Sequence, residues 1–363
     1  MRTTTAWRST GDGSVTLERV TIERRDLRDH DIALRVDYCG VCHSDLHRVK
    51  GMLKEGAIVP GHEFTGTVTA VGPAVTRFAP GDRVAVGTIV DSCGKCAMCE
   101  IGQENYCLEG PTSTYGAKDR VDGTKNQGGY SREFVVTERF AYHLPDGLDP
   151  AGAAPLLCAG ITTWEPLRAA GVGKGTKVAV AGLGGLGHLG VKLAVALGAE
   201  VTVLSRTPDK AGDARALGAC DLLVTTDEAQ VAAARYRFDV ILDTVPIEHD
   251  LTPYISMVAL DGTLSILGYP LPDHGCDHGA DARPQEAHRV RHRRHPADRR
   301  AAGVRRPAPG HRRHRGAAVQ PRRGGAPPPG QQRRPLPLRP RPVRPRPARR
   351  LTTAVARTAW CAA

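Results

Sequence analysis

The sequence predicts an α/β protein with a β-rich domain over residues 1–149 and a parallel-sheet domain over residues 150–271, followed by a basic tail over residues 272–363. Three observations carry this. Short runs rich in Val, Ile and Thr, punctuated by Gly and Pro, fill the first part. Apolar runs alternate with helical stretches in the second, as in parallel strands joined by crossover helices. Past residue 272 neither period persists, and Arg-Pro and Pro-Pro steps take over. Such a segment buries too little to offset its ordering entropy, so disorder is expected there.

In chain order, the first domain offers the strands VTLERVTIE, DIALRVDYC, FTGTVTAVG, DRVAVG and REFVVT. Turns are signalled at Pro60-Gly61, Pro80-Gly81 and Gly128-Gly129. A boundary falls near Leu144-Pro145-Asp146-Gly147. The second domain then reads KVAVAG, GLGHLGVKLAVALGA, EVTVLS, PDKAGDARALGA, DLLVT, FDVILDT and TLSILG. Two cored domains fit a chain of 363 residues that is 40% hydrophobic with a mean hydropathy of −0.30.

No run approaches about 18 consecutive apolar residues, so no spanning helix is expected. The start, MRTTTAWRST, lacks the apolar core of a secretory leader. The ten cysteines then read as reduced thiols of a cytoplasmic protein rather than a disulfide scaffold. The net charge of +12 is unevenly spread: residues 281–363 hold 23 of the 50 Lys+Arg and 3 of the 38 Asp+Glu. The tail therefore carries +20 and the rest of the chain −8. No aromatic lies in residues 281–350, so specific nucleic-acid recognition is not expected; the tail would attract polyanions only through its charge.

Cys93-x2-Cys96-x2-Cys99-x7-Cys107 is the strongest chemical signal. Four thiolates on one short lobe can close a tetrahedral shell around a structural Zn²⁺. A second set is dispersed: Cys42, His62 with Glu63 beside it, and Cys158. These are suitable types for a catalytic zinc, yet spacing alone does not separate a ligand Cys158 from a core cysteine. The third signal is Gly182-Leu183-Gly184-Gly185-Leu186-Gly187, after a strand and before a helix. Glycines there let the backbone turn and approach a pyrophosphate at the helix N-terminus, although a ligand-free tight turn uses glycine too. About 20 residues on, an NAD site offers a carboxylate to the ribose. Here the next strand ends in Ser205-Arg206 with Lys210 nearby, which suits the 2′-phosphate of NADP(H) or a solvated helix start. Asp243 ends the fourth strand of the parallel sheet, either at the ligand crevice or as a strand-end cap.

Together these motifs resemble the zinc-dependent medium-chain alcohol dehydrogenases, and within them the cinnamyl alcohol dehydrogenase group. The matching segments are YCGVCHSDLH (38–47), VPGHEFTG (59–66), SCGKCAMCEIGQENYC (92–107), APLLCAGITT (154–163), GLGGLGHLGVK (182–192) and DTVP (243–246). The resemblance implies a GroES-like β-barrel catalytic domain and a Rossmann domain. It implies two zinc ions per chain: a catalytic one on Cys42, His62 and Cys158, with Glu63 as fourth ligand in the resting form, and the structural one above. It implies that Asp45 orients His62 and that Ser44 and His47 relay a proton. The implied activity is NADP(H)-linked hydride transfer to and from an aromatic or medium-chain aldehyde. Members pair as homodimers through a strand that this sequence does not show.

The resemblance stops after Leu267-Gly268-Tyr269-Pro270. The family continues with a last Rossmann strand and a closing segment containing D-V-R-Y-R-F-V. Codons for Gly324–Arg341, GGAPPPGQQRRPLPLRPR, read one base later, permit EALRRLASNDVRYRFVLD. The same shift over Arg283–Arg300 permits GRKRLTGSGIGGIRQTAE. Both resemble the missing segments, in order. The sequence therefore predicts a one-base insertion near the codons for Pro272 and Asp273. The alternative function is an inactive zinc-binding remnant with a basic, polyanion-attracting tail.

Overall fold

The computed structural model describes residues 1–51, 56–268 and the backbone of 288–291. The N-terminal elements are β1 (Arg2–Ser9), β2 (Leu17–Arg24), β3 (Asp31–Cys39), α1 (His43–Val49), β4 (Phe64–Val71), β5 (Arg83–Val86), β6 (Ile89–Asp91), α2 (Ala97–Glu100), β7 (Thr112–Ser113), β8 (Glu133–Thr137) and β9 (Ala141–His143). A five-stranded antiparallel sheet has the order β8-β3-β4-β5-β9. Alternation explains its core. Ile32 and Leu34 on β3 point inward with Phe64, Val68, Val84, Val86, Phe134 and Val136, while Arg35 faces out. β1 and β2 form a separate hairpin. The opening segment, where the sequence reading expects no strand, is thus one. Its β-branched threonines and buried Thr4 and Ala6 suit one.

The second set comprises α3 (Pro150–Ala153), α4 (Ala159–Ala169), β10 (Lys177–Ala181), α5 (Gly185–Ala196), β11 (Glu200–Ser205), α6 (Ala211–Ala216), β12 (Asp221–Val224), α7 (Glu228–Ala233), β13 (Phe238–Asp243), α8 (Thr252–Met257) and β14 (Val258–Ile266). The sheet order is β12-β11-β10-β13-β14, all parallel, as in a Rossmann fold. Both faces are covered. Val178, Val180 and Leu242 join one apolar cluster with Val191 of α5, and Ala179, Ala181 and Ile241 join another with Met257 of α8.

A further strand, β15 (His288–Arg291), pairs antiparallel with β14. The sequence predicts no strand in the tail. The open edge of β14 is a ready template for pairing, which accounts for a short strand there. The rest of the expected disordered tail lies outside the described residues, as does the proposed frame change near Pro272.

Candidate metal and cofactor sites

The cysteine lobe is built by local turns. Gly94 and Gly102 adopt φ of 72° and 73°, a left-handed conformation that suits glycine, on either side of α2. The thiols of Cys93, Cys96, Cys99 and Cys107 all lie within 4.8 Å of one another. Backbone amides already aim at them: Cys93 N donates to Cys107 Sγ at 3.5 Å and Leu108 N to Cys96 Sγ at 3.4 Å. The amides of Leu108 and Cys99 pull Cys96 down to about 6. Four converging thiols, one already favoured as thiolate, fit a tetrahedral zinc shell.

The dispersed set also converges. Cys42 caps the N-terminus of α1, His62 precedes β4, and Cys158 precedes α4. Their ligand atoms lie within 4.8 Å of one another, with His62 Nε2 3.2 Å from Cys158 Sγ and the two thiols 3.9 Å apart. Asp45, buried in the first turn of α1, organises the group. Its Oδ2 accepts from Cys42 N at 3.1 Å, and its Oδ1 accepts from Gly61 N at 2.9 Å and faces His62 Nδ1 at 3.1 Å. With Nδ1 engaged, Nε2 is the nitrogen turned toward the thiols. Burial pulls His62 down, but Asp45 and Cys42 outweigh it and push it up to about 10. The hydrogen bond with Cys158 holds Cys42 down at about 4, against burial and with help from His62. Cys158 is correspondingly raised by Cys42 and by burial.

Glu63 is not among those converging atoms. It is 3% exposed, burial pushes it up to about 8, and its Oε2 has no hydrogen-bond partner. Its side chain fills space that a Cβ at Gly40 would enter at 2.8 Å. A buried, orphaned carboxylate oxygen beside two thiols and an imidazole is a donor set suited to zinc.

Ser44 is exposed and His47 half-buried on α1, at i and i+3 and so on one face. Burial, aided by His43 whose ring lies 4.6 Å away, holds His47 below its ordinary value. Tyr115 gave no sequence signal. It is buried, its ring lies 5.6 Å from that of His62, and the Arg48 guanidinium stands over the Tyr115 ring, 5.5 Å from its centroid.

The glycine turn joins β10 to α5. Gly182 has φ of 84°, and a Cβ at Gly187 would stand 2.0 Å from Gly182 O. Cβ atoms at Gly184 and Gly185 would meet nothing within 4 Å, so the turn is open where the helix begins. Leu186 is half-buried in the first turn of α5. Ser205 closes β11, Arg206 and Lys210 are exposed, and Lys210 Nζ reaches back to Leu183 O at 3.5 Å. One basic group, Lys210, thus stands beside the open turn. Asp243, at the end of β13, is fully buried, with its carboxylate turned to Val245 N and His249.

Comparison with known proteins agrees with this arrangement. Residues 28–146 match the model of the alcohol dehydrogenase GroES-like domain, and residues 185–288 that of the zinc-binding dehydrogenase. The chain is 50% identical over 255 residues to a probable formaldehyde dehydrogenase of Bacillus subtilis, covering 70% of this chain and 73% of that one. It is 47% identical to an NADP-dependent alcohol dehydrogenase of Mycolicibacterium smegmatis, covering 76% and 78%. A solved cinnamyl alcohol dehydrogenase from Sorghum bicolor superposes with a TM-score of 0.69 at 41% identity, covering 72% and 75%. One from Helicobacter pylori, solved with NADP(H), gives 0.68 at 35% identity, covering 74% and 76%.

Proposed function

Because this chain belongs to the zinc-dependent medium-chain alcohol dehydrogenases, in their cinnamyl alcohol dehydrogenase-like group, we propose that it moves hydride between NADP(H) and the carbonyl carbon of an aromatic or medium-chain aldehyde. The convergence of Cys42, His62 and Cys158 in front of Asp45 carries this reading. Relatives named as an NADP-dependent alcohol dehydrogenase, an aldehyde reductase and a cinnamyl alcohol dehydrogenase support it.

In this reading Cys42, His62 and Cys158 hold the catalytic zinc, with Glu63 as fourth ligand in the resting form. Cys93, Cys96, Cys99 and Cys107 hold the structural one. When bound, zinc supplies Lewis-acid polarisation of the aldehyde oxygen and NADPH supplies the hydride. The chain's own groups do the rest. Asp45 fixes the His62 ring. Ser44 and His47 pass a proton between the substrate oxygen and solvent. Gly182, Gly184, Gly185, Leu186 and Gly187 admit the pyrophosphate to the start of α5. Ser205, Arg206 and Lys210 meet the 2′-phosphate. The partners are small aldehydes and alcohols, with neither a membrane nor specific nucleic acid. Among the described residues no helix is long and apolar enough to cross a membrane, and cytoplasmic residence belongs to the same proposal. Domain boundaries at 149/150 and 271/272 belong to the same proposal.

NADPH consumption with an aromatic aldehyde tests the proposal. Turnover that stops on chelation and returns with zinc is expected. The tail of +20 charge favours a second reading, an inactive zinc-binding remnant. Bound zinc without turnover would support that one.

A further inference from the structure

β10 and β13 are parallel neighbours, with Ala181 opposite Asp243. From β10 the chain crosses to β11 on one side, while β13 lies on the other. Their C-terminal ends therefore flank the switch point where open α/β sheets take ligands. Beyond Asp243 the chain forms a loop, 244–251, that leads into α8.

That loop braces the glycine turn. Thr244 donates to Ala181 O twice, from N at 3.0 Å and from Oγ1 at 2.7 Å. The same Oγ1 lies 3.1 Å from where a Cβ would stand on Gly182 or on Gly187. A shift of Thr244 would thus be felt directly by the turn.

The loop is in turn tied down by Asp243. Its backbone oxygen accepts from Leu267 N at 2.7 Å and Gly268 N at 3.0 Å, and its Oδ1 accepts from Val245 N at 3.1 Å. Its Oδ2 lies 3.2 Å from His249 Nε2, a close polar contact rather than an aligned hydrogen bond, and among the described residues neither atom has a hydrogen-bond partner. His249 Nδ1 lies 2.8 Å from Ile247 O, and the ring stands edge-on to Tyr254 at 5.4 Å between centroids. Both ring nitrogens face oxygens, one of them a carbonyl that only accepts. These two contacts hold the ring between the end of β13 and the loop. Burial pushes the Asp243 carboxyl up, and Val245 N and His249 oppose that.

We propose that His249 is a positioning residue of the cofactor crevice: through Asp243 and Ile247 it clamps the loop whose Thr244 supports the glycine turn. It touches no reacting atom. The inference rests on the reading of this crevice as the NADP(H) site, and it adds a residue to which no motif pointed.

The test is NADPH fluorescence titration of the full chain and its variants, with thermal unfolding measured alongside without cofactor. His249→Leu should weaken NADPH binding about tenfold. His249→Gln, which keeps a donor for Asp243, should recover most of the affinity. Adding Asp243→Asn to His249→Leu should cost little more, because the pair acts as one unit. A lower unfolding temperature with unchanged NADPH affinity in His249→Leu would show a merely structural role and overturn the inference. Should His249→Leu not fold, Asp243→Asn alone decides: it should weaken NADPH binding, and unchanged affinity in it overturns the inference equally. If the unaltered chain binds no NADPH, the cofactor reading itself falls, and the inference with it.

Discussion

Asp45 shows how much one carboxylate can organise. It satisfies the Cys42 amide at the start of α1, holds Gly61 N, and engages His62 Nδ1. Asn cannot replace it: an amide nitrogen would face one of these donors. Asp45→Asn is therefore expected to lower the affinity of the catalytic site for zinc by about tenfold to a hundredfold. Competition with a chelator would measure this, and wild-type affinity in the variant would refute it. Glu63 offers a pH signature. Burial lifts its carboxyl from an ordinary 4.5 to about 8 in the metal-free fold. Between those values the folded chain keeps a proton that the unfolded chain releases. The stabilisation is complete below about pH 4.5 and is lost as pH rises through about 8. Glu63→Gln does not titrate. The difference in unfolding temperature between metal-free wild type and this variant should thus move against wild type from pH 5 to 8. A difference flat across that range would mean that Glu63 is not a buried, unpaired acid.

At the scale of elements, legibility follows contact range. The lobe of Cys93 to Cys107 and the turn of Gly182 to Gly187 each lie within one local segment, so spacing alone exposes them. The parallel sheet is legible for the same reason, since β10, β11, β12 and β13 are each short local runs dominated by apolar residues. Cys42, His62 and Cys158 lie far apart in the sequence and meet only in the folded chain. Their spacing therefore stayed ambiguous until a family resemblance joined them. Tyr115 and His249 carry no sequence signal, because each is placed by its packed neighbours rather than by a motif. Within the turn, Gly187 is the residue with no room for change. A Cβ there would stand 2.0 Å from Gly182 O, a backbone atom that cannot swing aside. Gly187→Ala should displace the turn and weaken NADPH binding by at least about tenfold, with a loss of about 1–3 kcal/mol in stability. Gly184→Ala faces open space and should cost far less. Titrating both variants with NADPH compares them directly, and equal affinities would contradict the packing argument.

The whole molecule is divided by composition more sharply than by fold. Through residue 268 every level agrees: strand patterning, turn glycines, metal donors and sheet order all describe one dehydrogenase. Such agreement across levels marks a sequence selected to fold. The tail breaks it at once, with +20 charge, no lysine in residues 281–363, and no period. The parallel sheet meanwhile ends at β14 with only a four-residue antiparallel strand beside it. We infer a shifted reading frame rather than a selected tail, because one shift restores two family-like segments in their proper order. DNA sequencing across the codons for Leu267 to Gly279 should show one extra base. Removing that base should yield a chain ending in the D-V-R-Y-R-F-V segment. Expressed side by side, the restored chain should turn over NADPH with an aromatic aldehyde. The chain as written should turn over more slowly and be more prone to aggregate, because its sequence does not show the closing segment that the resemblance implies. An unshifted gene sequence, or equal turnover from both chains, would make the basic tail a genuine part of the enzyme.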